Sequence, residues 1–154
     1  MNNYEKLLDK AHKNGLIVKE KPLQSSDGRI CGNKIAIRVN LESNRNKACV
    51  LAEELGHHIT SVGDIVNIDY VNDLKQERKA RLWAYNEMVG LRGFIDAYEH
   101  GCQNRYDIAE YLEITEEFLQ ECVDCYRNKY GVGKMVDNYY IMFIPHLAVG
   151  RIIN

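Results

Sequence analysis

The strongest chemical pattern in the chain is Leu51-Ala52-Glu53-Glu54-Leu55-Gly56-His57-His58. Glu53 and His57 are four positions apart. On an α-helix that spacing leaves about 40° between them, so both side chains share one face and can converge on a single metal ion. Glu54, beside that pair, then stands where a carboxylate can take a proton from a water that the ion activates. The chemistry predicted is metal-assisted hydrolysis.

The zinc-peptidase helix reads H-E-x-x-H, with ligands at i and i+4 and a glutamate base at i+1. Here the first histidine is written as glutamate. A register starting at Glu54 pairs it with His58 and puts Leu55, which has no proton chemistry, in the base position. Only the register from Glu53 fills every role. His57 and His58 do not easily share one ion, since helix neighbours point about 100° apart. Gly56 is expected to leave space beside the metal, at a small cost in helix stability. A third donor must come from another element. Glu77 is the choice, because Ala80 and Ala84 lie on nearly its side of the next helix and let that helix pack closely. Asp64, Asp69 and Asp73, in or beside the intervening loop, are alternatives. Spacing alone leaves a second reading open, since Glu-Glu and His-His pairs on helices are also common as solvated groups.

The elements that position these residues follow from periodicity and caps. An amphipathic helix is predicted over 3–14 and a β-prone run at Leu16-Ile17-Val18. A hairpin spans Arg29-Ile30-Cys31 to Lys34–Val39 through Gly32-Asn33. Ile35, Ile37 and Val39 alternate as in a half-buried strand, and a small antiparallel sheet of about three strands is expected. Ser43 caps the helix that carries the glutamates and runs to about Thr60. A second helix covers roughly 73–89 with Asp73 as its cap, and another follows near 92–99. Short helices at 106–112 and from the Thr115 cap to about Lys129 come next, then a β-prone run at 139–144 stopped by Pro145.

The chain has 154 residues, 45% of them apolar, and a net charge of −2. A packed core is expected, and there is no general attraction to nucleic acid or anionic membrane. The five cysteines are an odd number, and the start carries no basic stretch followed by an apolar run. A reducing cytoplasm is the expected setting, and no stretch is long and apolar enough to span a bilayer. Cys122 and Cys125 have no second pair to complete a zinc site and should pack as small apolar residues on a helix. Residues 106–128 have a helix-turn-helix rhythm, but Glu116, Glu117, Glu121 and Asp124 outweigh Arg127 and Lys129, which argues against a recognition helix. Lys75, Arg78, Lys79 and Arg81 read as a solvated face. His12, His100 and His146 are isolated, and Trp83 and the tyrosines are core and rim.

The LAEELGHH run resembles the ImmA/IrrE family of metalloendopeptidases, in a variant associated with prophages and mobile elements of Gram-positive bacteria. The setting is similar too: a small sheet before it, Glu77-x-x-Ala80-x-x-x-Ala84 after it, and Asn104–Leu112 followed by Thr115-Glu116-Glu117-Phe118. The resemblance covers roughly residues 5–145. It implies an α+β fold: a small antiparallel sheet with zincin-like metal-binding helices over 1–100, and over 101–154 a helix-turn-helix-like segment with a C-terminal strand. It implies Glu53, His57 and Glu77 as ligands of one divalent metal, Glu54 as general base, and His58 as a group beside the site or the substrate. Zinc is the expected ion. Two carboxylates with one neutral histidine also favour manganese or iron and leave a bound water less acidic. The implied substrate is a helix-turn-helix repressor of a prophage or mobile element. The competing readings are a non-catalytic antirepressor with a vestigial site and a transcription factor using 106–128.

Overall fold

A computed structural model of the protein describes residues 1–61 and 70–153, with side chains from residue 74 onward in the second stretch. Asp64 and Asp69, and the side chain of Asp73, lie outside the described residues. Two compact units, Met1–Glu87 and Met88–Asn154, divide the chain.

In the first unit, helix α1 (Asn3–Lys13) is capped by Asn2, whose side chain accepts from the Glu5 amide at 2.8 Å. It buries Tyr4, Leu7 and Ala11. Strands β1 (Ile17–Lys21), β2 (Gly28–Cys31) and β3 (Lys34–Arg38) form a sheet in the order β1-β3-β2. The β2–β3 hairpin is antiparallel as expected, but β1 pairs with β3 in parallel, so the sheet is mixed and the expectation of an antiparallel one is corrected. The physical reason lies in β3. Ile35 and Ile37 are almost fully buried, so the most apolar strand takes the centre and receives a neighbour on each side. The connection through residues 22–27 carries the chain past it.

Helix α2 (Asn44–Ser61) starts where predicted, with Ser43 Oγ accepting from the Asn46 amide at 3.3 Å. Helix α3 spans Tyr70–Met88 and begins three residues ahead of Asp73, which is therefore not its cap. Lys10 on α1 meets α3 twice, through Glu87 Oε1 at 2.6 Å and over the Trp83 ring at 5.6 Å.

The second unit holds α4 (Gly90–His100), α5 (Arg105–Leu112) and α6 (Glu116–Tyr130), then β4 (Gly133–Val136), β5 (Tyr139–Met142) and β6 (Ala148–Arg151). Thr115 Oγ1 caps α6 by accepting from the Phe118 amide at 3.0 Å. One C-terminal strand was expected. Instead β5 is the middle of an antiparallel sheet, with β4 and β6 at its edges. Both edge strands are only four residues long, too short to show a clear alternation. Phe94, Tyr126 and Phe143 meet edge to face with centroids 5.9–6.1 Å apart and form this unit's aromatic core. Burial raises the Cys122 thiol's pKa, consistent with Cys122 packing as an apolar side chain on α6. Among the described residues, no helix is long and apolar enough to cross a membrane.

Candidate active site

Ala48, Leu51, Ala52 and Leu55 form the buried stripe of α2. That stripe leaves Glu53, Glu54, His57 and His58 half-buried beside it. Gly56 marks the point where α3 comes closest. A methyl group at position 56 would collide with the Ala80 carbonyl oxygen and lie 3.0 Å from the Ala80 carbonyl carbon. The space read from the sequence as room for a metal is thus occupied by the backbone of α3. Ala80 and Ala84 are fully buried, which is what so close an approach requires.

One turn before Ala80, Glu77 reaches across to α2. Its Oε2 lies 3.2 Å from His57 Nε2, and its Oε1 accepts from Arg81 Nε at 3.1 Å. Arg81, read from the sequence as part of a solvated basic face, is therefore a partner of Glu77. The i,i+4 spacing of Glu77 and Arg81 was the available signal. At the end of α2, Thr60 Oγ1 donates to the Gly56 carbonyl at 2.7 Å, and Ser61 Oγ donates to that of His57.

Glu54 lies in the most perturbed environment here. Burial, then the charges of Glu53 and Glu77, push its carboxyl up to about 7. Gly28, at the start of β2, covers it. A methyl there would stand 2.5 Å from Val50 Cγ1 and 3.1 Å from Glu54 Cγ. Gly28 was read only as a turn residue. Its close approach to α2 has no signature in local sequence.

Two donors bound to one zinc ion at about 2.1 Å each, at a tetrahedral angle, stand roughly 3.4 Å apart. His57 Nε2 and Glu77 Oε2 fit that separation. Among the described residues, no three His, Cys, Asp or Glu side chains are grouped so as to hold a metal ion. The structure thus brings His57 and Glu77 together next to Glu54. Glu53 is close enough for its charge to act on Glu54 but does not complete a set of three donors. His58 is half-buried on α2, outside the His57–Glu77 pair.

A peptidase family model, described as the IrrE N-terminal-like domain, matches residues 11–123. The chain belongs to this family. The IrrE-like match runs from α1 into α6, so it includes the whole of α2 and α3, with Glu53, Glu54, His57 and Glu77. No curated protein and no solved structure matches the chain.

Proposed function

We propose that this IrrE-like chain is a metal-dependent endopeptidase that acts in the cytoplasm and cuts a helix-turn-helix repressor of a prophage or mobile element. The observation that carries this reading is the His57–Glu77 pair, which joins two helices at a separation suited to one shared ion, beside a carboxyl with a raised pKa. His57, Glu77 and, after rotation of its side chain, Glu53 would hold the ion, with zinc first and manganese or iron as alternatives. When bound, that ion supplies Lewis acidity to the scissile carbonyl and to a water. Glu54 accepts the proton of the attacking water and delivers it to the leaving amine. A carboxyl that titrates near neutrality suits both halves of that transfer. Arg81 holds Glu77 Oε1 and leaves Oε2 directed at His57. His58, next along α2, would steady the substrate. The carboxylates of α6 repel phosphate, which supports a protein substrate and no direct contact with nucleic acid.

The test is cleavage of the co-encoded repressor followed on a gel. Glu54→Gln should slow cutting by about 10²–10⁴-fold while the fold and metal content persist. Unchanged cutting would remove Glu54 from the mechanism.

A second reading rests on the incomplete donor set and on glutamate at position 53: the chain grips the repressor without cutting it. Glu53→His separates the two readings. A large gain in both zinc affinity and cleavage would mean that the native site is degenerate. Loss of zinc affinity and of cleavage that the wild type shows would favour Glu53 as a working ligand.

A further inference from the structure

The β1-β3-β2 sheet has a second face, turned away from α2. Paired residues share a side and successive residues alternate, so the register sorts the strands. Ile30, Ile35 and Ile37 point to the helix side. Lys19 and Lys21 of β1, Arg29 and Cys31 of β2, and Lys34 and Ala36 of β3 point the other way. Ala36 is the centre of this outer face. It pairs with Lys19 on one side and Arg29 on the other, and Lys34 stands two residues before it on the same strand. A methyl group ringed by long side chains leaves a hollow, and a cavity of about 400 Å³ opens there. Its lining carries the cations Lys19, Lys21, Arg29 and Lys34, an apolar side at Ile17 and Leu23, and no acidic residue.

Among the described residues, none of those four cations has an ion-pair partner. Arg38, which shares this face as the register partner of Lys21 but does not line the hollow, and Lys47 of α2 are paired. Arg38 bonds the Ser26 carbonyl at 3.0 Å and Asp27 at 3.4 Å, and Lys47 bonds Glu20 at 2.6 Å. Strands stand about 4.8 Å apart and alternate residues about 7 Å apart, so the four positive groups repel one another across the hollow. An anion in the hollow turns that repulsion into attraction.

We propose that this hollow binds a compact, multivalent organic anion of the nucleoside polyphosphate class, its phosphates over Ala36 and its apolar part against Ile17 and Leu23. The shape selects that class. The cations surround one point, whereas a nucleic acid strand or an acidic peptide calls for a line of them. The volume lies in the range of small-ligand pockets, about 300–1,000 Å³. A docked protein would instead cover roughly 800 Å². The site is on the reverse of the sheet from Glu54 and is independent of the peptidase reading.

ATP is the probe, titrated calorimetrically into the whole protein at physiological ionic strength. Saturable 1:1 binding is expected, with pyrophosphate competing and adenosine failing to compete. Arg29→Glu and Lys34→Glu should each weaken binding about tenfold or more. Ala36→Leu keeps every charge and fills the floor, and it should weaken binding to the same degree with circular dichroism unchanged. Bound ATP should also shield Cys31, at the cavity wall, from a thiol reagent, as read by peptide mapping. Absence of ATP binding by the folded protein would overturn the proposal. So would undiminished binding by Ala36→Leu, or an oligonucleotide or acidic peptide that binds more tightly than ATP. Glu54→Gln should bind ATP as the wild type does, so failure of either proposal leaves the other standing.

Discussion

Glu54, the proposed general base, lies in an environment that has a consequence for stability. Its pKa rises from the ordinary 4.5 to about 7 in the fold, mainly by burial, with the charges of Glu53 and Glu77 adding to it. The folded state therefore holds this proton more tightly than the unfolded chain does. The stabilising contribution is full below the unfolded value and is lost as pH rises through 4.5 toward 7. Metal-free protein, kept so by a chelator, should melt at a lower temperature at pH 8 than at pH 5. Glu54→Gln resembles the protonated acid and should flatten that difference, gaining stability at pH 8 and little at pH 5. Parallel melting profiles for the two proteins would place Glu54 in an ordinary solvated setting. On the proposed mechanism the same substitution slows cleavage by about 10²–10⁴-fold, so the carboxyl whose ionised form destabilises the fold would be the one the reaction uses.

At the scale of elements, the site depends on how closely α2 and α3 approach, and Gly56 reports on that distance. On an isolated or loosely packed helix, Gly56→Ala would stabilise by about 0.5–1 kcal/mol, because alanine is the better helix former. Here the added methyl meets the Ala80 carbonyl, which is backbone and cannot rotate away. The expected result has the opposite sign: a loss of about 1–3 kcal/mol, with weaker zinc binding as Glu77 is pushed from His57. Denaturant unfolding and a competitive zinc titration read both effects. A stabilised variant would show that the helices stand farther apart than described. Gly56 also shows what the sequence could reveal. The i,i+4 donors and the small residues at Ala80 and Ala84 pointed to paired helices, because those are local and periodic signals. The occupant of the space beside Gly56 was not legible, since it depends on a tertiary contact with no spacing of its own. The same holds for Gly28 above Glu54 and for the parallel partner of β1. Strand identity was read from alternation, but strand order was decided by competition for the central place, which Ile35 and Ile37 won.

At the scale of the whole molecule, the chain builds two cores of different character. The first is mainly aliphatic, with small residues on its helices: Ala48, Leu51, Ala52, Leu55, Ala80 and Ala84, together with Ile35 and Ile37 of β3 and the buried rings of Tyr4 and Tyr85. Small residues there serve close helix approach. The second is aromatic, with Phe143 of the C-terminal unit touching the rings of Phe94, Tyr126 and Tyr130 at centroid distances of 6.0, 5.9 and 6.1 Å. Phe143 follows β5 directly and is fully buried, so deleting its ring leaves a void that three aromatic neighbours cannot easily close. Phe143→Ala should cost about 3–5 kcal/mol, a large share of what a small unit has to lose. Compact units with separate cores open as separate cooperative blocks, each with its own free energy. Hydrogen exchange should therefore speed up across α4, α5, α6 and the β4–β6 sheet in this variant, while amides of α1, α2 and β3 keep their protection. Equal loss of protection in both regions would mean that the chain unfolds as a single block and that the aromatic core supports the peptidase helices as well.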